Sequence, residues 1–343
     1  MDLADFDYKL PDGLIAGEPY STRDASRMMA IDRDGQGLRD DLFVNFPGRL
    51  NSGDVLVLND TKVFPARLFG ESETGACVEI FLVSRCSDSI WQALARPARR
   101  LKPGKLIVFG TDLKGTIIRS LAEGQVEIEF DFDGDFHDVL QRVGRTPLPP
   151  YIKRARDAPD QDRARYQTVY AKSTGAIAAP TAGLHFTESV LDRIKEKGVH
   201  VAEITLHVGY GTFEPVRVDD VSQHSVLPER YEISEIAADT LNAARRERRR
   251  IVAVGTTTTR TLEAALADRA EFTAGLGTAS LTITPGYKFK GVGALLTNFH
   301  LPRSSLLILV STFGGHELIM SAYRHAVASG YRFYSYGDCM FIE

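Results

Sequence analysis

The period of the hydrophobic pattern changes along the chain, and this change limits the possible folds more than any other feature. Between residues 62 and 140, short apolar segments follow one another with Gly or Asp at the turns, and QVEIEFDF alternates strictly between polar and apolar residues. Strict alternation is typical of a strand with one buried face. Several short strands at this spacing predict a small all-β barrel.

Beyond this β segment, helical and extended patterns alternate, which favours an α/β domain. Helices are predicted at 187–197, at 235–250, from the GTTTTR turn to about Ala267, and near 316–328. Strands are predicted at 199–208, at 251–254, and in the segments SLTIT and ALLTNF. Thr187 and Ser234 are predicted N-caps, and Gly198 is placed to end the first helix. The first 50 residues show short loop-like pieces.

The two patterns indicate two domains, one of them inserted into the other. The flanks of the β segment do not resemble linkers, so we expect residues 62–149 to form an inserted β-barrel domain. Residues 1–61 and 150–343 then form one discontinuous α/β catalytic domain. A length of 343 residues accommodates both.

Composition and charge exclude several classes of protein. A net charge of −4 and a pI near 6.1 exclude a uniformly basic nucleic-acid binder, but they allow local basic patches. Cys77, Cys86 and Cys339 have no metal-ligand spacing, which is typical of reduced thiols in a cytoplasm. No signal peptide or membrane-spanning segment is recognisable, so we expect a cytoplasmic protein without a membrane partner.

Basic residues nevertheless cluster in three places. The first two clusters are Arg96, Arg99, Arg100, Lys102 and Lys105, and then Arg145, Lys153, Arg154, Arg156, Arg163 and Arg165. Together they could follow a phosphate backbone, or they could be ordinary solvated surface. The third cluster is Arg245, Arg246, Arg248, Arg249 and Arg250. It ends a predicted helix, where cations suit the helix dipole.

Loops rich in Gly, Thr and His follow several predicted strands, at the positions where α/β domains usually carry their sites. They are AAPTAGLHF (178–186), LHVGYGTFEP (206–215), VGTTTTRTLE (254–263), TNFHLP (297–302) and SYGD (335–338). In the first loop, small residues precede a helix start, whose free amides attract anions. Each loop taken singly could be an ordinary turn, but a structural role does not require five of them.

The loops do not match familiar nucleotide or metal motifs. The Gly-x-Gly of HVGYGTF lacks the third glycine of the dinucleotide fingerprint, and GTTTTR lacks the lysine of a phosphate loop. His185, His207 and His300 could meet around a metal ion with Asp338 as a fourth ligand. Because no close ligand spacing supports such a site, we expect no metal.

At these loops the sequence resembles the S-adenosylmethionine:tRNA ribosyltransferase-isomerase family of queuosine biosynthesis. The similar segments near the N-terminus are FDYKLPDGLIA, GDVLVLNDTKVFPARLFG, PLPPYI and YQTVYA. Those in the second half are AAPTAGLHF, LHVGYGTFEPVRV, AVGTT, PGYKFK, LLTNFHLP and YRFYSYGDCMFI. The resemblance covers the chain nearly from end to end.

The resemblance implies a fold, an activity and a substrate. The expected fold is a barrel-like α/β domain interrupted by a small β-barrel. The expected reaction transfers and isomerises the ribosyl group of S-adenosylmethionine, the co-substrate. Its acceptor is 7-aminomethyl-7-deazaguanine at the tRNA wobble position. The products are epoxyqueuosine-tRNA, adenine and methionine. We expect no metal and a monomer.

Such a reaction requires a base, because the positive sulfur acidifies the ribose 5′ protons and their removal leads to loss of adenine. The modified base's amine then attacks the anomeric carbon, and epoxide closure releases methionine. We expect His185 or His300 to be the base, since imidazole accepts protons near neutral pH. Asp338 is expected to orient a histidine or to hold the substrate amine.

The contacts to S-adenosylmethionine are expected from the same loops. The residues expected to bind its methionine carboxylate are Thr256, Thr257 and Arg260. The residues expected to border its adenosyl group are Gly209, Gly211 and Phe213. The further expected contacts are Thr181, Ala182, Gly183, His207, Gly255 and Asn298. Tyr336 and Phe299 are either additional site residues or core aromatics.

Two other functions stay open, and departures from the family pattern favour the first of them. Val226 and Leu227 stand where the family usually has Met and His, and Gly293 stands for an Asp. The segment GTTTTR replaces GTTSVR, a milder change. A non-catalytic tRNA-binding paralogue is one alternative, and an S-adenosylmethionine-dependent enzyme acting on a free small molecule is another. Adenine release that depends on modified tRNA distinguishes all three.

Overall fold

The structure is a computed structural model that describes residues 1–155, 160–209, 211 and 215–343. Within these residues the chain forms seventeen strands and seven α-helices. The strands are β1 (Arg27–Asp32), β2 (Gly37–Leu42), β3 (Val55–Asn59), β4 (Thr61–Val63), β5 (Arg67–Ser72), β6 (Cys77–Arg85), β7 (Ile90–Arg96), β8 (Leu106–Val108), β9 (Leu113–Ser120), β10 (Gln125–Phe132), β11 (Ser173–Ala176), β12 (His200–Leu206), β13 (Glu229–Ile233), β14 (Ile251–Val254), β15 (Gly275–Ala279), β16 (Ala294–Asn298) and β17 (Cys339–Ile342). The helices are α1 (Phe136–Val143), α2 (Asp162–Arg165), α3 (Glu188–Glu196), α4 (Glu235–Arg246), α5 (Thr256–Ala265), α6 (Ser305–Gly314) and α7 (His316–Ala328).

Nine strands form one large sheet in the order β15-β13-β12-β3-β14-β16-β17-β1-β2. Its centre is parallel, because β12, β3, β14 and β16 lie side by side in the same direction. Every residue of β3 and β14 is buried, as expected for parallel strands that are covered on both faces. Val55 and Val57 pack in the core that contains α4 to α7, whereas Leu56 and Leu58 pack in the core that contains α3.

The large sheet is open, with β15 and β2 at its two edges. The expectation of a barrel-like main domain is therefore wrong for this sheet. One edge strand, β2, carries the sequence GLRDDL and is mostly exposed. Charged side chains such as Arg39 and Asp40 discourage a further strand from pairing there. Closure of the sheet would need an edge that accepts another strand.

The β segment does form a closed, six-stranded barrel, as its alternation predicts. The strand order is β10-β7-β6-β5-β8-β9. The predicted strand QVEIEFDF is β10, and its alternate residues Val126, Ile128 and Phe130 are buried in the barrel core. Helix α1 adds Phe136 and Leu140 to the same core. The barrel strands all fall between Arg67 and Phe132, inside the segment expected to be inserted.

Two expectations about local structure are wrong. Residues 1–50 contain the strands β1 and β2, and β1 pairs in parallel with β17, with Met28 opposite Cys339. This partner is distant in sequence, so local pattern does not reveal the strand. The segment SLTIT is not a strand, and β15 (Gly275–Ala279) lies just before it. Ile283 of that segment is instead buried against the core of the large sheet.

The predicted helix limits are confirmed where capping residues marked them. The side chain of Thr187 accepts a hydrogen bond from Val190 N, and that of Ser234 accepts one from Ala237 N. Gly198, after α3, has a φ of +81° that favours glycine. These local signals fix where α3 and α4 begin and where α3 ends.

In the part of the chain that the structure describes, no single helix is long and apolar enough to cross a membrane. By length and composition only, α6 and α7 pass that test as a pair, but they are bent by 117° at the break between them. The three cysteines are free thiols: Cys77 and Cys86 are exposed, and Cys339 is buried.

Candidate active site

A cleft lies at the edge of the large sheet where β12, β14 and β16 end. Val208 follows β12, Gly255 follows β14, and Asn298 is the last residue of β16. Loops after parallel strands converge at this edge, which is where α/β proteins bind their ligands. The cleft encloses about 570 Å³, part of it open to solvent. It is lined by Tyr166, Ala178, Ala179, Pro180, Thr181, Ala182, Val208, Gly255, Thr256, Thr257, Thr297, Asn298, His300, Leu306, Tyr334 and Ser335.

All five loops that the sequence singled out contribute to this cleft. Two of them, LHVGYGTFEP and SYGD, contribute one lining residue each, Val208 and Ser335. The expected contact residues in the lining are Thr181, Ala182, Gly255, Thr256, Thr257 and Asn298. Of the two expected bases, His300 lines the cleft. The tertiary structure therefore brings together segments that are far apart in sequence.

The N-terminus of α5 forms one wall of the cleft. Gly255 caps this helix with a φ of +92°, a conformation that favours glycine. The hydroxyl of Thr258 donates to Val254 O, at the end of β14, at 2.7 Å, whereas Thr256 and Thr257 line the cleft. Helix N-termini present unpaired amides and a favourable dipole to anions. This wall is therefore suited to a carboxylate.

His300 is held rigidly in the cleft. Its side chain is buried, and Nε2 lies 3.0 Å from the hydroxyl of Thr297. Its backbone N donates to Tyr323 Oη at 2.9 Å, and its carbonyl accepts a hydrogen bond from Tyr8 Oη. Burial lowers the pKa of His300 to about 3. The imidazole is therefore neutral near pH 7, but the same burial makes it a weaker base than an exposed imidazole, so its pKa does not support the expectation that it accepts protons near neutral pH.

His185 lies behind the cleft rather than in its lining. Its Nδ1 is 2.7 Å from Ser26 Oγ, and its ring packs against Phe43 at a centroid distance of 5.3 Å. Burial lowers the pKa of His185 to about 4, and interaction with the Asn298 carboxamide opposes this shift. Neither His185 Nε2 nor Asn298 Oδ1 has a partner at full hydrogen-bonding geometry among the described residues. Asn298 thus connects His185 to the cleft.

Asp338 is fully buried outside the cleft lining. Its Oδ1 accepts hydrogen bonds from Arg27 N at 2.8 Å and from Tyr20 Oη at 3.1 Å, and its Oδ2 accepts one from Arg332 N at 2.7 Å. Burial raises the pKa of Asp338, and the two backbone hydrogen bonds oppose that rise. In this arrangement the carboxylate ties β1 to the turn that carries Tyr334.

Arg260 lines a second cavity, next to the cleft. Its Nη1 donates to Glu229 Oε2 at 2.7 Å in a buried ion pair, and Gly209 N donates to the other oxygen of Glu229 at 2.9 Å. Gly211 and Leu227 line the same cavity, which shares Leu306 with the cleft. The structure therefore separates Arg260, Gly209 and Gly211 from Thr256 and Thr257. The expected contact Phe213 lies outside the described residues.

Two further expected contacts fill packing positions outside the cleft lining. The Nδ1 of His207 is 2.8 Å from Thr61 Oγ1, and a Cβ on Gly175 would come within 2.7 Å of the His207 ring. A Cβ on Gly183 would lie 2.1 Å from Tyr170 Oη. Gly183 is therefore required so that the 181–185 turn can approach Tyr170 closely.

As far as the chain is described, the cleft lining contains no Asp, Glu, Lys or Arg. Its polar groups are hydroxyls, one carboxamide, one neutral imidazole and backbone atoms. A cationic ligand would meet no fixed positive charge from these residues. Among the described residues, no group of three or more His, Cys, Asp or Glu side chains is arranged to hold a metal ion.

Known proteins resemble this chain along its whole length. The sequence pattern of the family described as "Queuosine biosynthesis protein" matches residues 3–342. The chain belongs to this family. The S-adenosylmethionine:tRNA ribosyltransferase-isomerase of Syntrophotalea carbinolica is 47% identical over 344 residues, and the enzyme of that name from Trichlorobacter lovleyi is 48% identical over 342 residues. Each alignment covers 100% of both chains.

A solved structure of the same family also matches. The crystal structure of S-adenosylmethionine tRNA ribosyltransferase from Thermotoga maritima is 36% identical, with a TM-score of 0.57. The match covers 99% of this chain and 100% of that one. The match in structure therefore agrees with the family that the sequence comparisons show.

The departures from the family pattern lie away from the cleft. Gly293 precedes β16, while Asn298 ends it, which separates them by about 16 Å at roughly 3.3 Å per residue. A Cβ on Gly293 would contact Arg250 Cγ at 3.2 Å, on the far side of the sheet from the ligand edge. Leu227 is 51% exposed and lines the second cavity. The lining of the cleft thus keeps the family segments.

Sequence reasoning missed the aromatic residues of the cleft. Tyr334 has a φ of +76°, a conformation that costs free energy for any residue other than glycine. It is held there by Phe299 O, which accepts from Tyr334 N at 3.0 Å, and by Asn298 Nδ2, which donates to Tyr334 O at 2.9 Å. Phe299 itself is fully buried in the core. Tyr336 donates to Asp162 Oδ1 at 2.6 Å outside the lining.

Proposed function

We propose that this protein is an S-adenosylmethionine:tRNA ribosyltransferase-isomerase. It transfers and isomerises the ribosyl group of S-adenosylmethionine onto 7-aminomethyl-7-deazaguanine at the tRNA wobble position, giving epoxyqueuosine-tRNA, adenine and methionine. Relatives of that name match the full chain at nearly half identity. The observation that carries the proposal is the meeting of all five Gly-, Thr- and His-containing loops in one cleft.

The chemistry of the cleft suits a sulfonium substrate. Because the described lining residues include no Lys or Arg, a positively charged sulfur meets no repulsion from them. The N-terminus of α5, with Thr256 and Thr257, would hold the methionine carboxylate. Asn298, which lines the cleft and donates to Tyr334 O through Nδ2, would help to shape the cleft around the substrate. Burial of these groups also excludes water from reactive intermediates.

His300 is the base in this proposal. A proton leaves the ribose 5′ carbon next to the positive sulfur, and the electron pair left behind moves into the ribose as the bond to adenine breaks. The departing adenine takes up a proton. The amine of the modified nucleobase then bonds to the anomeric carbon and loses a proton, and the displaced electrons return to a ribose oxygen. That oxygen closes the epoxide, which breaks the carbon–sulfur bond and frees methionine. Its place in the cleft lining, and not its lowered pKa, supports this role for His300, whereas His185 would act on the cleft only through Asn298.

Asp338 has a positioning role in this proposal. Its hydrogen bonds to Arg27 N and Arg332 N hold the turn that presents Tyr334 and Ser335 to the cleft. Arg260, Gly209 and Gly211 would act from the second cavity, where Glu229 contacts both Arg260 and Gly209.

Residues 62–149 would be an inserted domain between 1–61 and 150–343. The protein would work as a cytoplasmic monomer, a state that light scattering with and without tRNA tests.

Adenine release tests the activity against its rivals. Purified protein is incubated with S-adenosylmethionine and with tRNA that carries either 7-aminomethyl-7-deazaguanine or unmodified guanine at the wobble position. We expect adenine only with the modified tRNA, in equal amount to modified product. Binding of the tRNA without adenine would identify the non-catalytic paralogue. Adenine release without tRNA would identify an enzyme that acts on a small molecule.

A further inference from the structure

A cavity on the side of the barrel lies between two segments that are distant in sequence. One wall is formed by Phe81 of β6 and by Leu94 and Arg96 of β7. The other wall is the segment 148–154, which connects the barrel to the large sheet. This barrel-side cavity encloses about 930 Å³, part of it open to solvent. It is separate from the cleft, and the described lining residues of the two do not overlap.

The same connecting segment also supports the cleft. Between Pro150 and Ile152, which line the barrel-side cavity, Tyr151 hydrogen-bonds Ser335 of the cleft through its hydroxyl. Its ring packs edge-on against Tyr334 at a centroid distance of 4.2 Å. One stretch of chain therefore forms the boundary between the two sites.

Four cations line the barrel-side cavity, and two of them have no carboxylate partner among the described residues. Arg67 pairs with Glu79 at 2.8 Å, and Arg154 pairs with Asp162 at 2.7 Å. The side chains of Arg96 and Lys153 are exposed and make no hydrogen bond or ion pair within the part of the chain that the structure describes. They belong to the first and second basic clusters of the sequence, which the fold thus brings together. Two unneutralised cations in one cavity favour an anionic ligand.

Apart from Glu79, which pairs with Arg67, the remaining lining of the cavity is apolar. Phe81 and Leu94 are half-buried on the barrel side, and Leu148 and Ile152 are buried on the other side. Single-stranded nucleic acids bind by stacking bases on aromatic rings while cations hold the phosphates. An aromatic ring, aliphatic walls and two available cations together match one nucleotide.

We propose that the barrel-side cavity binds a nucleotide of the tRNA adjacent to the one modified in the cleft. Its base would lie against Phe81 and Leu94, and the phosphates on either side would contact Arg96 and Lys153. This inference rests on the proposed function, because it takes tRNA as the polyanion. The barrel would then supply one half of an RNA site, and the connecting segment would supply the other half.

Charge reversal tests the phosphate contacts. The double variant Arg96→Glu with Lys153→Glu is expected to raise the KM for tRNA by about 10-fold or more, and to lower the steepness of its salt dependence by about 0.7 per lost contact. The KM for S-adenosylmethionine should stay unchanged. The matched control is Arg39→Glu with Lys195→Glu, which makes the same change of charge at exposed positions on β2 and α3. An equal effect in the control, or none in the test pair, would overturn the proposal.

Truncation of the aromatic wall tests the base contact separately. Phe81→Ala should raise the KM for tRNA without altering the salt dependence, because stacking carries no charge, and Phe81→Tyr should restore it. A Phe81→Ala variant with normal thermal stability and normal KM would contradict the base contact. Fluorescence anisotropy with labelled tRNA keeps the test independent of catalysis. Were the wild type inactive, a loss of tRNA binding confined to the test pair would still support the cavity.

Discussion

The cleft and the barrel-side cavity are separated by one stretch of chain but have opposite electrostatic character. The cleft holds hydroxyls, a carboxamide and an imidazole kept neutral by burial, whereas the cavity holds two cations that no described carboxylate neutralises. A neutral, preorganised cleft suits a cationic small substrate that is recognised by shape and hydrogen bonds. A cationic, apolar slot suits one unit of a polyanion. Changes in the two sites should therefore affect different substrates.

The largest effect is expected from His300→Ala in the cleft. Loss of a positioned base lowers the rate by about 10²- to 10⁴-fold. We expect turnover to fall in that range while the KM for tRNA stays near normal, because His300 lies outside the barrel-side cavity. Steady-state adenine release measures both constants. His185→Ala is the comparison, and its loss should be smaller because His185 acts through Asn298. Near-normal turnover in both variants would remove histidine from the mechanism.

The next effect is expected from the double variant Thr256→Val with Thr257→Val. A hydrogen bond to a charged group is worth about 1.5–3 kcal/mol, so the KM for S-adenosylmethionine should rise by about 10- to 100-fold. The KM for tRNA should not change, which is the reverse of the pattern expected at Arg96 and Lys153. Thr259→Val is a suitable control, since its hydroxyl donates to Gly255 O within the helix. A rise in the KM for tRNA alone would reverse the assignment of the two sites.

A moderate, pH-dependent effect on stability is expected from the buried histidines. The folded-state pKa of His185 is about 4 and that of His300 about 3, both below the ordinary value near 6.5. At pH values between the folded-state pKa and the ordinary pKa of each histidine, the unfolded chain therefore binds more protons than the folded protein. Stability contributed by the neutral histidines is fully present above about pH 6.5 and is lost as pH falls toward 4 and 3.

Urea denaturation at pH 7.5 and pH 5 measures this linkage. The wild type should lose stability on acidification, and His185→Gln should remove about 1–2 kcal/mol of that loss. The matched control is His137→Gln on α1, where the histidine is exposed at the end of the barrel. Equal pH dependence in both variants would show that His185 does not stay neutral in the folded protein.

The smallest effect is expected from Gly293→Asp, which restores the usual family residue. The new carboxylate would lie near Arg250, which already pairs with Asp54 and Glu343, so stability should change by less than about 1 kcal/mol. Turnover should be unchanged, because β16 separates this position from the cleft. The rate of adenine release at saturating concentrations of both substrates measures the turnover. A large gain in turnover would show that the departure at Gly293 had weakened catalysis.

Local sequence predicted the elements whose limits depend on neighbouring residues. The alternation in QVEIEFDF gave β10, and the capping side chains of Thr187 and Ser234 gave the starts of α3 and α4. It failed for β1, which exists because Met28 pairs with Cys339 near the other end of the chain. It also failed for the shape of the large sheet, since whether edges meet depends on the arrangement of all nine strands.

In the candidate site, too, the sequence predicted some features, and others depend on contacts between distant residues. The sequence predicted Thr181, Gly255, Thr256 and Asn298 as ligand contacts and His300 as a candidate base, and the fold brings all five into one cleft. Composition could not show that Arg260 is neutralised by Glu229, because a buried ion pair depends on which side chains meet across the fold. The same limit hid Tyr334, whose strained backbone is imposed by contacts with Phe299 and Asn298.

The sequence by itself determined the family, the closed barrel and the loops that carry the chemistry, because these depend on residue type, period and spacing along the chain. Only the tertiary structure decided which histidine reaches the cleft, which arginines are neutralised, and that Arg96 and Lys153 line one cavity with Phe81. The physical reason is that charge, burial and hydrogen-bond partners belong to positions in space. A side chain acquires them only when the strands and loops around it are in place.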